Sequence, residues 1–209
     1  MMFTLNNYQI LPPPYPLTYR TWTERQAQDY LNWFVSKIPE RVDYLCRRYH
    51  RDNFLNRALD PGDPKSLIRI WRWFLPRAKI EQMPPEEAKA HLAAYSYLGG
   101  AWLDTRRLST CTEYVMRDIG MLLGHIFTTN YPQQIYWTTE KLKKGYVWRW
   151  HPVLKGFVYM VDEKPTYPSF EPVHMVGVQG SRLLNKSMAA GDLFHIYQIW
   201  EEQIPIVKL

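Results

Sequence analysis

Apolar positions recur at helical spacing through most of the chain. Ala27, Tyr30, Leu31, Phe34, Val35 and Ile38 fall on one face of a helix opening near Thr23. Thr21 or Thr23 can cap it, with Glu24 or Gln26 three residues on, a capping-box pattern. Val42, Leu45, Cys46 and Tyr49 continue the stripe, and Pro39 is expected to kink the helix or open a second one. Arg41, Arg47, Arg48 and Arg51 lie off that stripe. Asp60-Pro61-Gly62-Asp63-Pro64 reads as a turn. A short helix over Leu67–Leu75 then begins at Ser66 and stops at Pro76. Pro84-Pro85-Glu86-Glu87 starts another, expected to reach Tyr97 before Gly99-Gly100. Thr110 with Glu113 predicts a further capping box, followed by Tyr114, Val115, Ile119, Leu122, Leu123 and Ile126 at helical spacing. Gly120 and Gly124 each weaken that helix, and two such positions four apart predict a close crossing by another element.

From residue 135 the pattern changes. Ile135–Trp137, Tyr146–Trp150, Val153–Tyr159 and a stretch near Val173–Val178 read as short strands or extended loops, with a turn at Lys144-Gly145. Helical spacing returns over Leu183–Gln203. The expected fold is mainly α (α+β): one helical domain over 1–209, of about five to six helices, with a small aromatic-rich antiparallel β insertion. Its parts are a proline-rich arm over 1–20, helices over 21–130, short strands and loops over 131–180, and a last helix and tail over 181–209. In the arm, four prolines in five positions, Pro12 to Pro16, favour an extended segment packed on its own domain.

Composition narrows the class. The chain has 209 residues, 46% hydrophobic and 22% charged, which excludes a disordered or collagen-like polymer. Its two cysteines exclude a disulfide scaffold. No apolar run approaches the roughly 20 residues of a membrane span, and no secretory signal is visible, so a cytoplasmic location is expected. The net charge of +6 is local, because residues 37–79 hold eleven basic residues against five acidic ones. One sign of field favours acidic partners, whereas internal ion pairing would neutralise it within the fold. Arginine predominates there, and its fork suits carboxylates.

Catalytic motifs do not emerge. The chain carries no phosphate loop, no nucleophile elbow and no His-Glu-x-x-His, and its six histidines lack ligand spacing. No cofactor and no metal are expected. Three weaker signals stand out. Cys46 and His50 lie four apart on one helical face. Cys111 falls at a helix N-terminus, where the dipole lowers a thiol pKa. Asp118 is a candidate buried carboxylate, either paired with an arginine such as Arg106 or Arg107 or serving an unrecognised active site. In the aromatic segment Tyr146, Trp148 and Trp150 share one face of a strand, as core or as an exposed anchor.

Three stretches carry a resemblance. They are Trp22…Ala27-x-x-Tyr30-x-x-Trp33-Phe34…Ile38-x-x-Arg41, Glu113…Arg117-Asp118-Ile119-Gly120…Gly124, and Trp137 followed by Pro152-Val153-Leu154-Lys155-Gly156-Phe157. In these the chain resembles a diffuse group of small bacterial proteins from polymorphic-toxin loci, many of them immunity proteins. The resemblance implies a non-catalytic protein that neutralises a cognate toxin by occluding its active site. Arg47, Arg48, Arg51, Arg69, Arg72, Trp148 and Trp150 are then the expected contacts, facing an acidic patch on the toxin. The alternatives are a nucleic-acid-binding protein using residues 37–79 and an enzyme centred near Asp118. No membrane partner is expected.

Overall fold

A computed structural model describes residues 5–53, 58–95, 104–143, 149–185 and 187–205. The fold is mainly α, with small antiparallel β elements. Six helices, α1 (Glu24–Asp52), α2 (Ser66–Phe74), α3 (Pro85–Tyr95), α4 (Thr110–Asn130), α5 (Pro172–Ser181) and α6 (Asp192–Glu201), appear among the described residues. Three two-stranded antiparallel sheets accompany them. They pair β1 (Ile80–Gln82) with β2 (Arg106–Leu108), β3 (Tyr136–Thr139) with β4 (Pro152–Lys155), and β5 (Tyr159–Val161) with β6 (Lys164–Thr166). No helix of the described residues is long and apolar enough to cross a membrane.

Thr23 and Gln26 close the capping box of α1. Pro39 neither breaks nor restarts the helix, which runs unbroken for 29 residues. The carbonyl that Pro39 leaves without its usual donor belongs to Val35, itself exposed, so water can take the place of the lost bond. α4 is the central helix: from Val115 to Gly124 every residue is buried. Its cap is Ser109, which accepts from the Thr112 amide, and not the expected Thr110–Glu113 pair. α1 and α5 both pack on α4. The glycine pair marks close crossings, as the spacing predicted. A Cβ on Gly120 would stand 2.6 Å from the Cα of Val173 in α5, and one on Gly124 would overlap the Trp137 ring.

The second half departs further from expectation. The stretch Val173–Val178 is helical, not extended, because Pro172 opens α5 at its first position and Val173 and Gly180 seat on α4. The predicted strand Val153–Tyr159 is two strands. Gly156 separates them at φ +114, where a side chain would overlap the Gln134 carbonyl. The predicted last helix is shorter: a 3₁₀ turn over Arg182–Asn185 precedes it, and α6 begins only after Gly191. Most of the Tyr146–Trp150 stretch, the Lys144-Gly145 turn and the Gly99-Gly100 stop lie outside the described residues. Among the described residues a contiguous core joins α1, α2, α4, α5 and α6 to the arm through Leu5 and Tyr8.

Candidate functional site

The expected basic contact face is largely consumed by internal pairing. Arg47 is exposed and bridges Asp43 at 2.9 Å, and Arg51 is exposed beside Asp52 at 3.7 Å. Arg69 is half-buried and bridges Asp63 at 3.5 Å, while Arg72 stands exposed on α2. Arg48 is not a surface contact: it is 6% exposed, on the side of α1 facing the arm, paired with Asp52 at 3.8 Å. Arg41 is buried as well, so neither residue lies off the packed side of the helix. Trp150 is also removed from the contact list, because it is 2% exposed, in a turn at φ 67, with Arg149 over its ring. Trp148 lies outside the described residues.

The chemical candidates resolve in the same way. Asp118 is fully buried, and its partner is Arg41, with Nη2–Oδ2 2.5 Å. Arg106 instead pairs with Asp104, and Arg107 with Glu81 and Glu87, because β2 precedes α4 and faces β1 and α3. Burial pushes the Asp118 carboxyl above the usual carboxylate range, against the pull of Arg41 and Tyr8. Burial likewise pushes the Cys46 thiol up to about 11, which holds it in the neutral form and away from thiolate chemistry. Cys111 is raised too, opposite to the dipole expectation, and its Sγ donates to the Leu5 carbonyl at 2.8 Å. No group of three or more His, Cys, Asp or Glu among the described residues is placed to hold a metal.

Surface concavity gathers elsewhere, at the end of the β3–β4 pair. Leu154 of β4 exchanges two backbone hydrogen bonds with Phe170, at 2.7 and 3.0 Å, which fixes Ser169 and Glu171 beside the strand. α5 then begins and supplies His174, and α6 supplies Trp200. Together with Glu140 and Lys155 these line an open cleft of about 560 Å³. Glu140 accepts from the Ser169 hydroxyl, and Lys155 reaches it at 3.3 Å. Glu171 bonds His151 Nδ1 at 2.6 Å, while the His151 ring lies 3.9 Å from that of Tyr19. Burial lowers the His174 pKa, with Glu171 opposing. The Ser169 hydroxyl is turned to a carboxylate that already carries a lysine. The cleft therefore presents paired polar groups on an apolar wall.

The β5–β6 hairpin adjoins this cleft. Asp162 (φ 48) and Glu163 (φ 63) both sit in the left-handed region, as a two-residue turn with the strand twist requires. Tyr159, Met160 and Val161 are 40%, 61% and 45% exposed, and Tyr167 just beyond is 67% exposed. The hairpin is tied to the body by the Val158 amide, which donates to Gln203 at 2.7 Å. Tyr159, Pro168, Ile199 and Trp200 line a second hollow of about 290 Å³ that continues the cleft. The sequence pattern places Tyr159 at the end of a strand and marks none of these residues as a contact; Asp162-Glu163 lacks the glycine or asparagine that usually announces such a turn. Comparison of the chain with family models, with curated proteins and with solved structures finds no match.

Proposed function

We propose that this chain is a non-catalytic protein-binding module of the immunity-protein kind, which holds a cognate toxin in the cytoplasm and covers its active site. The observation that carries the reading is the apolar hairpin: Tyr159, Met160, Val161 and Tyr167 stand in water beside a cleft walled by Trp200. Clustered exposed apolar side chains of this kind mark contact sites. The aromatic pair and the methionine supply the anchors, and the Glu140–Lys155–Ser169 group supplies a polar rim.

Co-expression with a toxin-domain protein from an adjacent gene tests the reading, and the absence of any such gene counts against it. The wild-type chain should co-purify with that toxin and restore growth. Tyr159→Ser with Met160→Ser should weaken the complex by roughly 30-fold or more, the loss expected when hot-spot anchors go. Circular dichroism and Tm should hold, because both side chains are exposed. A wild-type chain that neither binds nor protects ends the toxin reading. A double variant that binds as well as wild type removes the hairpin from the interface.

Charge reversal provides a second measurement on the same complex. Arg47→Glu with Arg72→Glu should slow association several-fold, most at low salt, and leave the dissociation rate nearly unchanged. An unchanged association rate at low ionic strength would place these arginines outside the steering field.

A further inference from the structure

α5 carries a second hollow on another flank. His174 and Met175 face the cleft described above, whereas Val173, Gly177 and Ser181, spaced four apart, line a hollow of about 380 Å³ against α4 and β2. That size falls within the range of small-molecule pockets, roughly 300–1,000 Å³. A Cβ added to Gly177 meets nothing within 4 Å, so the open space reaches the α5 backbone. Leu108, Met116 and Leu184 make the remaining walls largely apolar. Arg106 ties one rim together, donating through Nη2 to the Leu184 carbonyl at 3.1 Å.

The charge on this wall is unbalanced. Arg41, Arg48 and Arg117 are buried; Arg41 reaches Asp118 and Arg48 reaches Asp52, but among the described residues no carboxylate lies within ion-pairing distance of Arg117. Arg117 is 7% exposed and forms part of the hollow. Its Nη2 donates to the Leu11 carbonyl at 2.5 Å, its guanidinium lies 4.6 Å from the Tyr114 ring, and its Nε is buried without a hydrogen bond. None of these neighbours carries a negative charge. Asp118 is next in sequence, yet its one charge is taken by Arg41, so the three groups together hold a positive charge in excess. A buried cation without a counter-ion is costly, and an anion in the hollow would offset that cost.

We propose that the hollow between α4, α5 and β2 binds a small monocarboxylate with an apolar body, its carboxylate set against Arg117. A single negative charge matches the site, because the other two arginines on its wall are already satisfied. Arg106 pairs with Asp104, and Arg107 with Glu81 and Glu87. The apolar walls take the rest of the ligand, which a bare inorganic anion lacks. Glu113 shares the wall, and burial pushes its carboxyl above the usual range, with Arg107 opposing. As the neutral acid it can donate to the bound carboxylate. This inference stands independently of the toxin reading.

The experiment titrates sodium octanoate into the full chain by calorimetry. Octanol serves as the uncharged probe of the same body, and inorganic phosphate as the anion without one. Octanoate should bind saturably with a Kd below about 1 mM, and the other two at least about 10-fold more weakly. Arg117→Gln should lower octanoate affinity by about 10-fold or more, having removed the charge it answers. Gly177→Leu fills the hollow and leaves Arg117 in place, so it should weaken binding as much while Tm stays at or above that of wild type. If Arg117→Gln fails to fold, Gly177→Leu and the probe selectivity decide the matter. Octanoate that shows no saturable binding up to about 10 mM overturns the proposal. Octanol binding as tightly as octanoate removes the charge from the site, and undiminished binding to Gly177→Leu places the ligand elsewhere; either result overturns it too.

Discussion

Asp118→Ala is expected to cost about 3–5 kcal/mol of stability, a fall in Tm on the order of 10 °C for a chain of this length. Asp118 is 0% exposed and Arg41 1% exposed, in the middle of the α1–α4 interface. Oδ2 of Asp118 receives Arg41 Nε at 3.1 Å and Nη2 at 2.5 Å, and the Tyr8 hydroxyl at 2.6 Å. Removing the carboxylate leaves a guanidinium buried with no counter-charge and a phenol with no acceptor. Arg41→Met should cost a similar amount for the mirror reason. The pair together, Arg41→Met with Asp118→Leu, should recover most of the loss, because desolvating two charges offsets much of what their attraction gives. Burial already pushes the Asp118 carboxyl upward, which is the same desolvation seen through its proton. Urea unfolding of the three variants completes a double-mutant cycle with a coupling of about 2 kcal/mol or more. Additive losses, or a single variant within about 1 kcal/mol of wild type, would show that the pair is not a structural junction. Single variants should also release the arm, read as faster proteolysis near Thr18, since Tyr8 and Gln9 are held by these same two residues.

The parts of the fold legible in the sequence are those decided locally. Thr23 and Gln26 sit three apart before a long apolar stripe, and the capping box forms there. Gly120 and Gly124 bear no local benefit to a helix, so their presence announced the crossings that Val173 and Trp137 make. The misread parts were decided at a distance. Val173, Val176 and Val178 look like a strand by composition, yet α4 offers a helical seat and Pro172 starts the turn. Ser109 takes the cap from Thr110 because the β1–β2 pair delivers the chain one residue earlier. Gly156 reads as one small residue in a strand until the Gln134 carbonyl is placed against it.

The candidate site was harder to read for the same reason. Arg41 and Arg48 stand seven apart on the flank of the stripe that Tyr30 and Phe34 occupy, whereas Arg47 and Arg51 fall on the exposed face; helical spacing separates the two pairs, and their charge is what made all four read as solvated. Glu140, Lys155, Ser169 and Glu171 come from one end of β3, one end of β4 and a loop. They meet because Phe170 bridges to Leu154, a contact no spacing rule encodes. The exposed hairpin was not legible, because Asp162-Glu163 lacks the glycine that usually marks such a turn and Tyr, Met and Val beside it read equally as core. Exposure, not residue type, is what sets them apart from the core.

Gly120→Ala should destabilise the protein by about 1–3 kcal/mol, even though alanine is the better helix former by about 1 kcal/mol. The added Cβ would stand 2.6 Å from the Val173 Cα and 3.0 Å from its amide nitrogen. Both are backbone atoms at the start of α5, so relief requires moving a helix and cannot come from rotating a side chain. Among the described residues α4 and α5 form the most extensive contact between elements, and a shift there disturbs Gly180 and Met116 at the other end of the same crossing. Gly177→Ala provides the internal control. It lies on α5 with nothing within 4 Å of its added Cβ, so only the helix propensity acts and the variant should gain up to about 1 kcal/mol. Thermal unfolding of the two variants should therefore move in opposite directions from wild type. If both stabilise, the crossing at Gly120 has room for a methyl group, and the close approach of α5 to α4 is not what selects glycine at that position.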